Sequence, residues 1–407
     1  MSSESILENR KYNQRNKMLN VIRQNADVSR NDVKKITSYS MTTVLGMIDD
    51  MIQDGLIYEK ECEEVRVGRK PVWLQINPDG GYFVGVEFNA SFMHCVILDF
   101  TGTMIYKQET AIDESHKWAE SVIKMMKNMI KGALDFLDHK RDKVVGIGLG
   151  VPGYSDKQQG IAITYNHFKN WDNIPLRHII EEEFHIPCYM DNNVNVMIFA
   201  YKWLVYNGKC EDMLFVSVRT GARVIPIINN TPVSSGSGFP GELGHVKVKG
   251  GSRICSCGRY GCLNSEISDA AIISKVKDGI RVRRFKEINE MVNGDLDKIT
   301  ISVFVESVKK GHEDSVSLLE QVGGFLGDTL SMLVNIFAPR KIVIYGELAG
   351  IGEPFMEILR RHVAEDAIVE NQLGLVIMSS EFDGNLGAMG AAALVMQEAY
   401  SYVEETI

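Results

Sequence analysis

The spacing of apolar residues points to an α/β protein: a small module of three helices and a β-hairpin, then two larger lobes of strands and helices. Three features carry this. The first eighty residues hold helical periodicity that ends in two strand-like segments. From Gly81 strands come first and helices follow, and the same order begins again near Asp212.

In the module, residues 6–24 place Met18, Leu19 and Ile22 on one helical face. Ser29 is placed to cap a short helix over 31–36. After a turn at 37–39, Ser40 can cap a third helix whose Val44, Met47, Ile48, Met51 and Ile52 share a face, and Gly55 ends it. Residues 56–61 and 71–76 are strand-like, joined by a loop holding Arg66, Gly68, Arg69 and Lys70. This order is that of a winged helix-turn-helix, residues 1–78, which sets its third helix in the major groove of DNA and its wing along the backbone or minor groove. DNA contact then falls to Tyr39, Ser40, Thr42 and Thr43 on the helix side, and to Arg66, Arg69 and Lys70 in the wing. None of the helix residues is an arginine or glutamine, so base discrimination rests more on Arg66 and Arg69. The net charge of -9 argues against nucleic acid for the chain as a whole. Yet residues 10–35 hold eight basic side chains and two acidic ones, a local +6. The competing interpretations are a solvated helix face and a helical protein-interaction domain.

Beyond the module, 81–88, 91–100 and 103–111 look like consecutive strands, followed by a helix at 116–137, a strand at 144–149 and the turn VPG. A second cycle runs through MLFVSVRT, RVIPIINNTPV, a cysteine cluster, several helices, KIVIYGEL and a glycine-rich ending. Two lobes that each open with a β-meander and continue β-α suggest an actin-like or sugar-kinase (ribonuclease H-like) domain with a cleft. The expected lobes are 79–192 and 193–407, with the last helix returning to the first. No apolar run reaches the ~18–20 residues of a membrane span. The first residues lack the apolar centre of a signal peptide, so a cytoplasmic protein is expected.

Residues 245–262 read HVKVKGGSRICSCGRYGC, where His245, Cys255, Cys257 and Cys262 form H-x9-C-x-C-x4-C. One imidazole nitrogen and three potential thiolates suit tetrahedral zinc. The alternatives are a disulfide or inert core thiols; Cys255 and Cys257 are too close in sequence for an easy disulfide. Four protein ligands leave no open position for an activated water, so the zinc expected here is structural.

GELGH followed by CSCGRYGCLNS resembles the zinc signature of the ROK family (repressors, open reading frames and kinases). VGIGLGVPG, NHFKNW, DNNVN and NLGAMGAAAL stand in the family's order around it, and the GRKP wing resembles the repressor branch, the xylose- and N-acetylglucosamine-type regulators. The resemblance spans essentially the whole chain. It implies an effector cleft for a sugar, with zinc bracing one wall. Glu242 would accept sugar hydroxyls, His245 would hold zinc and sugar, and Asn192 and Asn193 would supply amides. Asn264 stands where the family has glutamate, which leaves the effector open between a sugar and another small molecule.

A kinase of the same family is the alternative. Its first phosphate loop resembles D-x-G-G-T, where this chain has Glu87 followed by Asn89, Ala90 and Ser91; its second, G-T-G-x-G, appears as 219–223 with Arg219 and Arg223. The carboxylate base falls on Asn193, and an amide cannot accept a hydroxyl proton. The resemblance therefore implies a sugar-responsive repressor without catalysis. Such a regulator would bind a double-stranded operator as a homodimer or dimer of dimers over half-sites related by two-fold symmetry.

Overall fold

The computed structural model describes residues 3–61, 72–206, 211–233, 241–382 and 384–402; Arg66, Arg69 and Lys70 lie outside the described residues. The chain divides into two compact units, Met1–Lys209 with Gly384–Ile407, and Cys210–Asp383.

The first unit opens with α1 (Ser3–Gln24), α2 (Arg30–Thr37) and α3 (Met41–Gln53), then the antiparallel pair β1 (Ile57–Glu61) and β2 (Val72–Ile76). Ser29 and Asp32 form a capping box at α2, and Ser40 Oγ accepts from Thr43 N to start α3. Val44, Met47, Ile48 and Met51 are buried beside Met18, Leu19 and Ile22, as the spacing implied. Next come β3 (Tyr82–Phe88), β4 (Phe92–Asp99), β5 (Met104–Ala111), α4 (Ala119–Leu137) and β6 (Val144–Val151). A small antiparallel sheet of β7 (Tyr154–Asp156), β8 (Ile161–Thr164) and β9 (Asp172–Ile174) precedes α5 (Leu176–Phe184), β10 (Cys188–Asn192) and α6 (Asn193–Ala200). The main sheet runs β10-β6-β3-β4-β5, parallel across the first three strands and antiparallel beyond.

The second unit repeats the plan. It contains β11 (Met213–Val218), β12 (Ala222–Ile228), β13 (Thr231–Pro232), α7 (Asn264–Ile267), α8 (Asp269–Arg281), α9 (Lys286–Met291), α10 (Ile301–Lys309) and α11 (Glu313–Phe337). β14 (Lys341–Tyr345), α12 (Glu353–Asp366), α13 (Val369–Gln372) and β15 (Val376–Ser379) complete it. Its sheet order, β13-β12-β11-β14-β15, is again an antiparallel meander continued by parallel strands.

The last helix, α14 (Leu386–Tyr400), belongs to the first unit and lies flat on its sheet. It can do so because β3 and β6 present glycine there. A Cβ on Gly148 would stand 1.8 Å from Ala391 O, and one on Gly85 2.0 Å from Ala388 O. The far end of α14 is tied to α1. Asn16 Nδ2 donates to Ser401 O at 3.0 Å, Asn20 Nδ2 to Tyr400 O at 2.9 Å, and Tyr12 OH to Ala399 O at 2.6 Å. These side chains satisfy carbonyls that a helix end leaves without partners.

Arg23, one turn further along α1, lies over the Phe100 and Trp203 rings at 5.3 and 5.9 Å. Its three guanidinium nitrogens have neither solvent contact nor a hydrogen-bond partner, and burial pulls its pKa down to about 10. A buried charge without a hydrogen-bonded partner, facing rings and only a distant Asp99 carboxylate, costs desolvation that packing does not return in full. Arg23→Met is therefore expected to leave stability unchanged or to raise it by about 1–4 kcal/mol. Urea unfolding followed by tryptophan fluorescence measures it, and a clear loss of stability would refute the expectation.

Candidate metal centre and effector site

In the second unit, two isolated bridges, Lys247 with Cys262 and Ile254 with Tyr260, fold residues 245–262 back on themselves. Gly258 turns the tip at φ +83°, its N donating to Cys255 O. His245, Cys255, Cys257 and Cys262 converge with all ligand atoms within 4.8 Å of one another. His245 Nδ1 stands 3.7 Å from Cys255 Sγ, and Cys257 Sγ is 3.7 Å from Cys262 Sγ. A tetrahedron with Zn–S of about 2.3 Å and Zn–N of about 2.0–2.1 Å has edges of roughly 3.5–3.8 Å, and these two separations match it. All three thiols are free, and the sulfur separation excludes a disulfide. A hydrogen bond from Arg259 holds the Cys257 thiol down at about 6, towards the thiolate a metal needs.

Because Nδ1 faces the cysteines, His245 turns Nε2 towards Glu242, 4.0 Å from its carboxylate. That is the arrangement in which a carboxylate orients a metal-binding imidazole. Glu242 is also reached by Arg223 Nη2 at 3.3 Å. Gly241 makes this approach possible: at φ +85° a Cβ there would lie 1.8 Å from Val224 O.

Asn264 sits beneath this segment. Its Oδ1 accepts from Ala222 N at 2.7 Å, and a Cβ on Gly244 would meet it at 1.8 Å. The amide thus clamps the start of β12 to the 241–245 turn. Sequence reasoning missed Glu266, two positions on and buried. Its Oε1 accepts from Ser252 N and Arg253 N at 3.1 and 3.3 Å, and its Oε2 pairs with the half-buried Lys275 at 2.8 Å. Glu266 therefore anchors the root of the cysteine loop. The available signal was an acidic residue directly after the cluster; its partner, nine residues along α8, carried none.

In the first unit, Glu87 is fully buried at the end of β3 and accepts from Asn193 Nδ2 at 3.2 Å. Asn192 caps α6, its Oδ1 accepting from Val194 N, while its Nδ2 donates to Gly153 O at 3.0 Å in the VPG turn. Asp191 is held by Asn192 N, by Asn195 Nδ2 at 2.8 Å and by Lys157 at 3.4 Å. In the β3–β4 turn, Asn89 Oδ1 accepts from Ser91 N and Phe92 N at 2.7 and 3.0 Å. The backbone amides that would face a phosphate are therefore occupied by the chain's own side chain. In the second unit, Arg219 lies over the Tyr345 ring at 5.7 Å, and burial pushes the nearby Asp269 carboxyl up to about 7 against the pull of Arg219.

At the start of α3, Ser40 and Thr42 are exposed and Tyr39 and Thr43 half-buried, with Lys17 over the Tyr39 ring at 5.6 Å. The exposed face continues through Leu45 and Gly46, neither of which sequence reasoning chose; a Cβ on Gly46 would meet nothing within 4 Å. The basic run is partly neutralised inside the module. Lys11 pairs with Asp50, Arg15 with Asp54, and Arg30 with both Asp49 and Glu59.

The fold and the cluster define a duplicated α/β domain of the sugar-kinase type, carrying a loop whose one histidine and three cysteines could hold a metal and preceded by a helix-turn-helix module. The chain belongs to the ROK family, which it matches over residues 83–398. It is 29% identical to the xylose repressor of Caldicellulosiruptor bescii, over 95% of this chain and 96% of that protein. It is 24% identical to the DNA-binding transcriptional dual regulator NagC of Escherichia coli, over 92% and 90%. Among solved structures, a ROK family transcriptional regulator described as a homolog of the E. coli MLC protein superposes with a TM-score of 0.80 at 22% identity, covering 96% of this chain and 97% of that one. A ROK family glucokinase from Streptomyces griseus superposes at 0.67 and 22%, covering 78% and 100%. The two structural likenesses establish the fold.

Proposed function

We propose that this chain is a sugar-responsive transcriptional repressor whose kinase-like domain, residues 79–407, binds an effector without phosphorylating it. The carrying observation is the Asn193–Glu87 hydrogen bond. The family's base position holds an amide, and that amide is bonded to the carboxylate of the first phosphate loop. The self-capped turn at Asn89 removes the phosphate cradle as well. Similarity over nearly the whole chain to a protein named as a xylose repressor and to one named as a DNA-binding transcriptional dual regulator supports the same conclusion.

Residues 1–78 are the DNA-binding module, with Tyr39, Ser40, Thr42, Thr43, Leu45 and Gly46 towards the major groove and Arg66, Arg69 and Lys70 in the wing. His245, Cys255, Cys257 and Cys262 hold a structural zinc. Glu242, His245 and Asn193 contact the effector; Asn192 and Asn264 shape the backbone around it. The protein is cytoplasmic; among the described residues no helix is long and apolar enough to cross a membrane. It binds its operator as a homodimer or dimer of dimers.

Selection from random DNA tests the proposal. A repeated or palindromic motif with half-sites about 10 base pairs or a multiple apart is expected, bound with an affinity that falls steeply with salt. Recovery of no motif at moderate salt would refute it. In a phosphotransfer assay with ATP and monosaccharides, neither the wild type nor Asn193→Asp should turn over, since restoring the base leaves the phosphate turns blocked. Turnover by the wild type would restore the kinase alternative.

A further inference from the structure

The three thiols of the cluster are not equivalent. Cys257 is exposed, whereas Cys255 and Cys262 are buried, and Cys257 Sγ stands 3.7 Å from Cys262 Sγ. A solute therefore meets Cys257 first, with a second thiol directly behind it. Cys95 and Cys188, the other described cysteines, are buried, and burial pushes both thiols up, so neither offers a thiolate to solvent. The Arg259 side chain hydrogen-bonds to Cys257 and sets a positive charge beside it. That charge stands where attack on a peroxide would release an anion.

The backbone lets the two sulfurs meet. Four residues separate Cys257 from Cys262, among them Gly258 at φ +83° and Gly261 at φ +73°. A Cβ on Gly258 would meet nothing within 4 Å, so the tip that carries Cys257 has open space around it. Cys262 is the fixed member: its backbone bridges Lys247, and its Sγ lies 3.8 Å from His245 O. The approach from 3.7 Å to the about 2.05 Å of a disulfide therefore falls to Cys257.

We propose that Cys257 and Cys262 are a peroxide-sensitive pair, with Cys257 the site of oxidation and Cys262 the resolving thiol. The Cys257 thiolate attacks the hydroxyl oxygen of a hydroperoxide. An S–O bond forms, the O–O bond breaks, and the departing oxyanion takes a proton from water, leaving Cys257 as a sulfenic acid. The Cys262 thiolate then attacks the Cys257 sulfur. An S–S bond forms, the S–O bond breaks, and the hydroxide that leaves diffuses into solvent. Two thiolates have given up two electrons, and the hydroperoxide has accepted them. The cluster keeps two of its four donors, so His245 is no longer held, and a dithiol reductant restores the set. Oxidation thereby cuts effector response while operator binding stays. That consequence rests on the repressor assignment; the oxidation itself does not.

The test needs neither DNA nor effector. The full-length protein, loaded with zinc, is treated with hydrogen peroxide. The wild type should lose its zinc, and a peptide digest should contain Cys257 joined to Cys262. Dithiothreitol with added zinc should reverse both changes. Replacing Cys62 and Cys210, which lie outside the described residues, by serine should alter neither reading. Arg259→Gln keeps all four donors and should slow the oxidation several-fold. Cys262→Ser should leave Cys257 as a sulfenic acid that dimedone traps, whether or not that variant holds metal. A Cys257 that hydrogen peroxide leaves reduced, or a digest that joins it to Cys255 instead, would overturn the proposal. A failed DNA selection alongside an intact peroxide response would overturn the repressor assignment alone.

Discussion

Cys257→Ser is expected to yield a protein that still binds its operator but no longer responds to its effector. Of the three cysteines, Cys257 is the exposed one, whereas Cys255 and Cys262 are buried, so this change removes a ligand with little loss of packing. A metal held by the cluster would fix the His245 ring through Nδ1, which faces the cysteines, while Nε2 faces Glu242. Without that metal the imidazole would lose its fixed orientation, and the 241–263 segment would be held by its backbone bridges, by Glu266 and by the Arg253–Asp278 and Arg223–Glu242 pairs. Loss of a ligand or of its orienting partners commonly weakens a metal site 10–100-fold, and effector affinity should fall by about tenfold or more in turn. The amino-terminal helical module, proposed above to bind DNA, holds no part of this cluster, so operator affinity should persist. A thermal-shift screen over mono- and disaccharides identifies the effector first. Operator binding with and without it, alongside zinc content, then compares wild type with variant. Normal effector response in a demonstrably zinc-free protein would show that the cluster serves stability alone.

Gly148→Ala should prevent the first unit from folding. The added methyl would lie 1.8 Å from Ala391 O and 2.5 Å from Ala391 C, both backbone atoms of α14, so no rotamer change relieves the clash. The helix would have to lift off β6, exposing Ala388, Ala391, Ala392 and Val395, all fully buried. Overpacking that a side-chain shift absorbs costs about 1–3 kcal/mol; a displaced helix costs more, beyond the ~4 kcal/mol that marks exceptional mutants. Gly46→Ala is the matching control, because its Cβ meets open space in the middle of α3. It should gain up to about 1 kcal/mol from helix propensity. Circular dichroism melts and soluble yield compare the two. A Gly148→Ala protein that melts within a few degrees of wild type would show that the sheet yields where the packing says it cannot.

Much of the site was legible because its chemistry is local. The four residues of the histidine–cysteine cluster fall within eighteen residues, and the glycines between them announce a tight loop, so residue type and spacing suffice to bring them together. The helical module was equally readable: Ser29 and Ser40 cap the helices they precede, and the buried positions of α3 recur at the interval one helical face requires. The basic run was read less well. Its excess of charge is real, but Asp49, Asp50, Asp54 and Glu59, which pair with Lys11, Arg15 and Arg30, all lie well outside it in the chain.

Asn193, Asn192 and Asn264 show where the boundary falls. Their identities alone exclude a general base and mark polar positions, because an amide's acid–base character does not depend on its surroundings. What each amide bonds to is another matter. Asn193 donates to Glu87, 106 residues earlier, and Asn264 accepts from Ala222, 42 residues earlier. Lys275 pairs with the buried Glu266, and Asn20 reaches a carbonyl 380 residues away. Periodicity and spacing report which groups a short segment exposes on one face, and they determined the elements, the core stripes and the metal donors. The partners of the polar groups were decided by folding. A buried donor must take whichever acceptor the packed sheets and helices bring within about 3 Å, and that acceptor is chosen by strand order and close approach rather than by distance along the chain.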